Sequence, residues 1–94
     1  MAEVRLRVID QPKDLWSDTV EGDMWRTPDR DHAGREAWFI RLPNDVFWCT
    51  TDRPEGTEQM WDVSGEPPNI TVSPSINAIG SWHGFITDGV ARET

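Results

Sequence analysis

Residues 67–87, PPNITVSPSINAIGSWHGFIT, contain no Asp, Glu, Lys or Arg, although 28% of the chain is charged. An uncharged stretch of that length makes a poor solvent-facing surface. It is also too broken by Pro, Gly, Ser and Asn to span a membrane, which takes about 20 predominantly apolar residues. It belongs in the interior of a soluble domain. Pro74 divides it into two short β segments, residues 70–72 and 75–79, and residues 82–87 form a further arm. Asp88-Gly89 follows as a two-residue hairpin signal leading into residues 90–92. The heart of the fold is therefore expected in the last quarter of the chain.

The preceding sequence is consistent with a β fold. Residues 3–9, EVRLRVI, alternate Val4, Leu6 and Val8 against Glu3, Arg5 and Arg7, the period-2 pattern of a half-buried strand. Asp14-Leu15-Trp16 can start one helical turn, residues 20–26 a short strand, and residues 27–36 an exposed loop. Residues 37–42 and 46–51 are the strongest strand pair, joined by Pro43-Asn44-Asp45. Residues 52–59 read as another loop, and residues 60–63 as a strand turning at Ser64-Gly65. No long stretch repeats every 3.6 residues. The expected fold is mainly β: a small single-domain antiparallel sandwich or partly open barrel of short strands. Residues 1–36 supply an N-terminal strand and a polar acidic segment, and residues 37–92 the β core.

Charge narrows the partners. Seventeen acidic residues against nine basic ones give a net charge of −8, the wrong sign for gripping a phosphate backbone. Direct nucleic-acid binding and membrane binding are not expected. Asp52, Glu55, Glu58, Asp62 and Glu66 crowd one region and form an acidic surface that a basic protein partner could read. The six Trp divide similarly. Trp38, Trp48, Trp61 and Trp82 fall on expected strands as core, whereas Trp16 and Trp25 lie in the polar segment and suit a partner or oligomer contact. The single Cys49 excludes an internal disulfide, and the expected compartment is cytoplasmic.

Trp61-Asp62-Val63-Ser64-Gly65, then Thr71-Val72-Ser73-Pro74-Ser75-Ile76, then His83-Gly84-Phe85-Ile86 with Asp88-Gly89, form a composite pattern over residues 37–92. It resembles a family of small, functionally uncharacterised bacteriophage and prophage proteins. That resemblance implies a phage-type accessory protein, present in the cytoplasm of an infected cell. Many members are similar to zinc-ribbon domains with Cys clusters. Here only Cys49, His83 and His32 remain where a structural zinc needs four ligands, so neither a metal nor another cofactor is expected.

His83, Ser73, Ser75 and Trp82 stand out as candidate ligand or partner contacts within the uncharged run. Ser73, Ser75, His83 and Asp88 also hold the residue types of a nucleophilic triad. No Gly-x-Ser-x-Gly elbow accompanies them, and Ser-Pro-Ser reads more simply as a strand kink with hydroxyls capping backbone groups. The expectation is thus protein binding without catalysis, through the acidic, Trp-bearing surface. A virion or assembly component and a small-ligand or metal-binding domain centred on His83 are the alternatives.

Overall fold

The computed structural model describes residues 3–31, 33–51, 61–78 and 82–94, and among them the architecture is mainly β with no α-helix. Nine strands form two sheets. In chain order they are β1 (Glu3–Arg5), β2 (Arg7–Val8), β3 (Asp23–Arg30), β4 (Glu36–Leu42), β5 (Val46–Cys49), β6 (Asp62–Ser64), β7 (Thr71–Ala78), β8 (Trp82–Thr87) and β9 (Val90–Glu93). One sheet runs β1-β9-β8-β7-β6 and the other β2-β3-β4-β5. No ladder joins the two sheets among the described residues, so the architecture is a sandwich rather than a barrel. It is antiparallel except at β2, which pairs parallel with β3.

The two sheets share one core. Met24, Ile40, Leu42 and Trp48 come from the four-stranded sheet, and Val72, Ile76, Trp82, Ile86 and Ala91 from the five-stranded one. The N-terminal segment contributes directly through Leu6 and Met24. Leu6 also explains why the expected strand over residues 3–9 is split. At this buried residue the chain leaves one sheet and enters the other, donating its N–H to Gly89 while the next N–H goes to Gly22. Val8, expected on the buried face, is consequently 46% exposed.

The strongest sequence signals gave the most regular elements. In β8 the positions of Trp82, Gly84 and Ile86 face the core, while His83, Phe85 and Thr87 face out. Gly84 is required by space: a Cβ there would meet the Arg92 carbonyl and lie 2.5 Å from the Trp82 ring. The turn at Asp88-Gly89 has positive φ at both residues, 46° and 78°, which suits the twist of a two-residue hairpin. Asn44 and Asp45 likewise take positive φ in the short 3-10 connection before β5.

Two segments differ from expectation through the same device. The loop expected over residues 27–36 is partly strand, because β3 continues through Pro28 to Arg30. The two segments expected either side of Pro74 are one strand, β7. In each case the ladder absorbs proline with a bulge. Thr27-Pro28-Asp29 oppose Ala37 alone, and Ser73-Pro74-Ser75 oppose Phe85 alone, so neither ladder needs a proline N–H at that point. At residues 14–18 a single helical turn closes, with the Asp18 N–H on the Asp14 carbonyl.

Candidate active site

The bulge in β7 places Ser75 beside His83. Val72 and Ile76 remain buried on either side, so the inserted residues bow outward and Ser75 comes up half-buried on the solvent face. Trp61 pins this backbone by donating its indole N–H to the Ser75 carbonyl at 3.3 Å. The Ser75 hydroxyl lies 3.2 Å from His83 Nε2. On the other side of the ring, His83 Nδ1 lies 3.5 Å from the Thr94 hydroxyl, which is itself 3.4 Å from the His83 carbonyl.

One arrangement of protons satisfies the whole chain of contacts. Ser75 donates to Nε2, Nδ1–H donates to Thr94 Oγ1, and the Thr94 hydroxyl donates to the His83 carbonyl. The Thr94 backbone N–H also donates to that carbonyl, at 3.0 Å, which holds β9 in register with β8. A nucleophile on a base, with the base steadied through its second nitrogen, is the arrangement that activates a hydroxyl for acyl transfer. Lengths of this order are ordinary for such groups before substrate closes on them.

Of the other residues singled out from the sequence, Ser73 is exposed and pairs in register with Asp62, away from His83. Asp88 sits in the β8–β9 turn, its N–H on Thr71 Oγ1. Five residue steps along the strand, about 16 Å, separate it from His83, so it does not orient the imidazole. Trp82 is buried in the core. Thr94 had no place in the sequence reading, yet a two-residue turn at Asp88-Gly89 already implies the pairing of residue 94 with residue 83.

Trp16 and Trp25 occupy a different place, the outer face of the four-stranded sheet. Trp25 is buried there and stacks on Phe39 at 5.9 Å, so it is no loose surface ring. Trp16 is 62% exposed and meets Phe47 edge-on at 5.1 Å. The guanidinium of Arg41 lies over both Trp16 and Phe47 and donates to the carbonyls of Trp16 and Thr19. Leu15, Trp25, Phe39 and Phe47 line a groove of about 180 Å³ beside this cluster. The sandwich core lies between this groove and His83. Asp62 and Glu66 are exposed, whereas Asp52, Glu55 and Glu58 lie outside the described residues. Cys49 is buried on the four-stranded sheet, remote from His83, and His32 lies outside the described residues. Among the described residues, no helix is long and apolar enough to cross a membrane.

The family model for BubE, described as a bacterial ubiquitination-like system serine protease, matches residues 10–94. Among curated proteins and among solved structures, nothing matches the chain. The family match overturns the expectation of a non-catalytic phage accessory protein, and with it the virion and ligand-binding alternatives: the family is bacterial and its members are enzymes. It also reaches well into the N-terminal segment, which the resemblance over residues 37–92 had left outside. The chain belongs to the BubE family of bacterial ubiquitination-like system serine proteases.

Proposed function

We propose that this protein hydrolyses peptide bonds with Ser75 as nucleophile and His83 as general base, acting on a protein substrate of a bacterial ubiquitination-like system. The observation that carries this reading is the 3.2 Å separation of the Ser75 hydroxyl from His83 Nε2. As Ser75 Oγ attacks the carbonyl carbon, its proton passes to Nε2. The imidazolium then gives that proton to the leaving amine, and the acyl group stays on Ser75. Water repeats the sequence, losing a proton to Nε2 as it attacks the ester, and Ser75 leaves with its proton restored. Thr94 acts as a positioning residue, holding the Nδ1–H tautomer that leaves Nε2 free to accept.

The partners in this reading are proteins, in keeping with a net charge of −8 that disfavours nucleic acid. The setting is the bacterial cytoplasm, and residues 1–94 act as one catalytic unit. A fluorophosphonate reagent tests the assignment, because it forms a covalent adduct only with an activated serine. Wild-type protein should take up one equivalent on Ser75, located by peptide mass. Ser75→Ala should lose labelling, and His83→Ala should slow it by about 10²–10⁴-fold. Both variants should keep the wild-type unfolding midpoint, since both side chains stand outside the core. Labelling that survives in Ser75→Ala would sink the assignment.

A further inference from the structure

We propose that the side-chain amide of Asn77 supplies the hydrogen bond that stabilises the oxyanion formed when Ser75 attacks a carbonyl. The proposal rests on the Ser75–His83 reading and adds a third group to it. Attack moves a negative charge onto the carbonyl oxygen, and a hydrolase needs a donor placed 2.7–3.1 Å from that position. Neither the Ser75 hydroxyl nor the His83 imidazole can provide it, since one becomes the ester and the other carries the proton.

Asn77 is two residues beyond Ser75 on β7 and stands directly opposite His83 in the β7–β8 ladder. Directly opposed residues share a face, with Cβ atoms about 4.5–5.5 Å apart. Positions two apart on one strand lie about 6.6 Å from each other on that same face. The carboxamide of Asn77 therefore projects beside both members of the dyad. The reacting carbon lies one bond beyond Ser75 Oγ and the oxyanion one bond further, while Asn Nδ2 lies two bonds beyond its own Cβ. The two reaches meet across the gap between the side chains.

Asn77 is exposed, and its carboxamide makes no hydrogen bond with any described residue. Its neighbours are otherwise occupied or unsuitable. Phe85 carries no donor, the Thr94 hydroxyl is engaged with His83, and the Arg92 guanidinium is held by Glu3 at 2.7 Å on the far side of His83. Among the described residues, no other side-chain amide stands on this face of the five-stranded sheet.

The test uses p-nitrophenyl acetate hydrolysis, with a peptide trifluoromethyl ketone as a probe that forms a tetrahedral adduct on the serine. Asn77→Ala should lower kcat by about 10²–10³-fold and leave KM nearly unchanged, because the bond forms only as charge develops. It should weaken the ketone by a comparable factor. Asn77→Asp, similar in shape but bearing an acceptor and a negative charge, should do no better than Ala. An unchanged thermal unfolding midpoint separates loss of the donor from loss of the fold. If Ser75→Ala is inactive while Asn77→Ala keeps kcat within about threefold of wild type, the Asn77 assignment is overturned and the dyad stands. If Ser75→Ala retains activity, both readings fall together.

Discussion

Ser73 and Ser75 flank one proline and look equivalent as letters, yet only Ser75 meets the imidazole. What separates them is a bulge, and the spacing of residue types holds no trace of how a ladder absorbs a proline. The residue types of a triad were therefore legible in the sequence, but which serine meets His83 was not. Asp88 was a misleading third member because a carboxylate close in sequence is distant along an extended strand. The local requirement at Gly84 was equally hidden, since it arises from the Arg92 carbonyl and the Trp82 ring crowding the space for a Cβ. Gly84→Ala should cost about 1–3 kcal/mol, the usual penalty for overfilling a packed interior. Urea unfolding monitored by Trp fluorescence would measure it. A fully stable variant would mean that β8 and β9 can separate without loss.

Among the elements, β8 and β9 were readable nearly residue by residue. Their turn is specified by Asp-Gly, and inward and outward positions alternate without interruption along β8. β1 and β2 were not, because their pattern describes one strand while Leu6 turns the chain between sheets. The tie between β1 and β9 also carries an ion pair, Glu3 with Arg92. The hydrogen bond from Arg92, reinforced by its positive charge, holds the Glu3 carboxyl below the usual glutamate range. A carboxyl depressed by folding stabilises the fold above its unfolded pKa, and that contribution is lost as pH falls through its folded value. Protection factors at the Val4 and Leu6 amides, which discount the intrinsic slowing of exchange at lower pH, should therefore fall on acidification through that window. In Glu3→Gln this pH dependence should flatten, with exchange already faster at neutral pH. Identical profiles for the two proteins would show that the pair contributes nothing to holding β1. Because both side chains are largely solvated, the effect should be small and should shrink with added salt.

On the scale of the whole molecule, the uncharged run of residues 67–87 did mark the centre of the fold, since it contributes Ile70, Val72, Ile76, Trp82 and Ile86 to the core. What composition could not convey is that the outer face of the same two strands brings Ser75 and His83 together. The net charge of −8 sits on a small surface and repels itself, which opposes compactness. Raising NaCl from about 0.02 to 0.3 M shortens the screening length several-fold and should raise the thermal unfolding midpoint. A midpoint that falls instead would mean that ion pairs such as Arg7–Asp23 outweigh the repulsion. The order of the strands also bears on biosynthesis. Thr94, which meets the His83 ring, follows β9, and β9 is held between β8 and β1. A growing chain that has completed Ser75 and His83 still lacks that brace. A fragment that stops before β9 would, on the proposed reading, hold the nucleophile and the base without the contact that orients the imidazole.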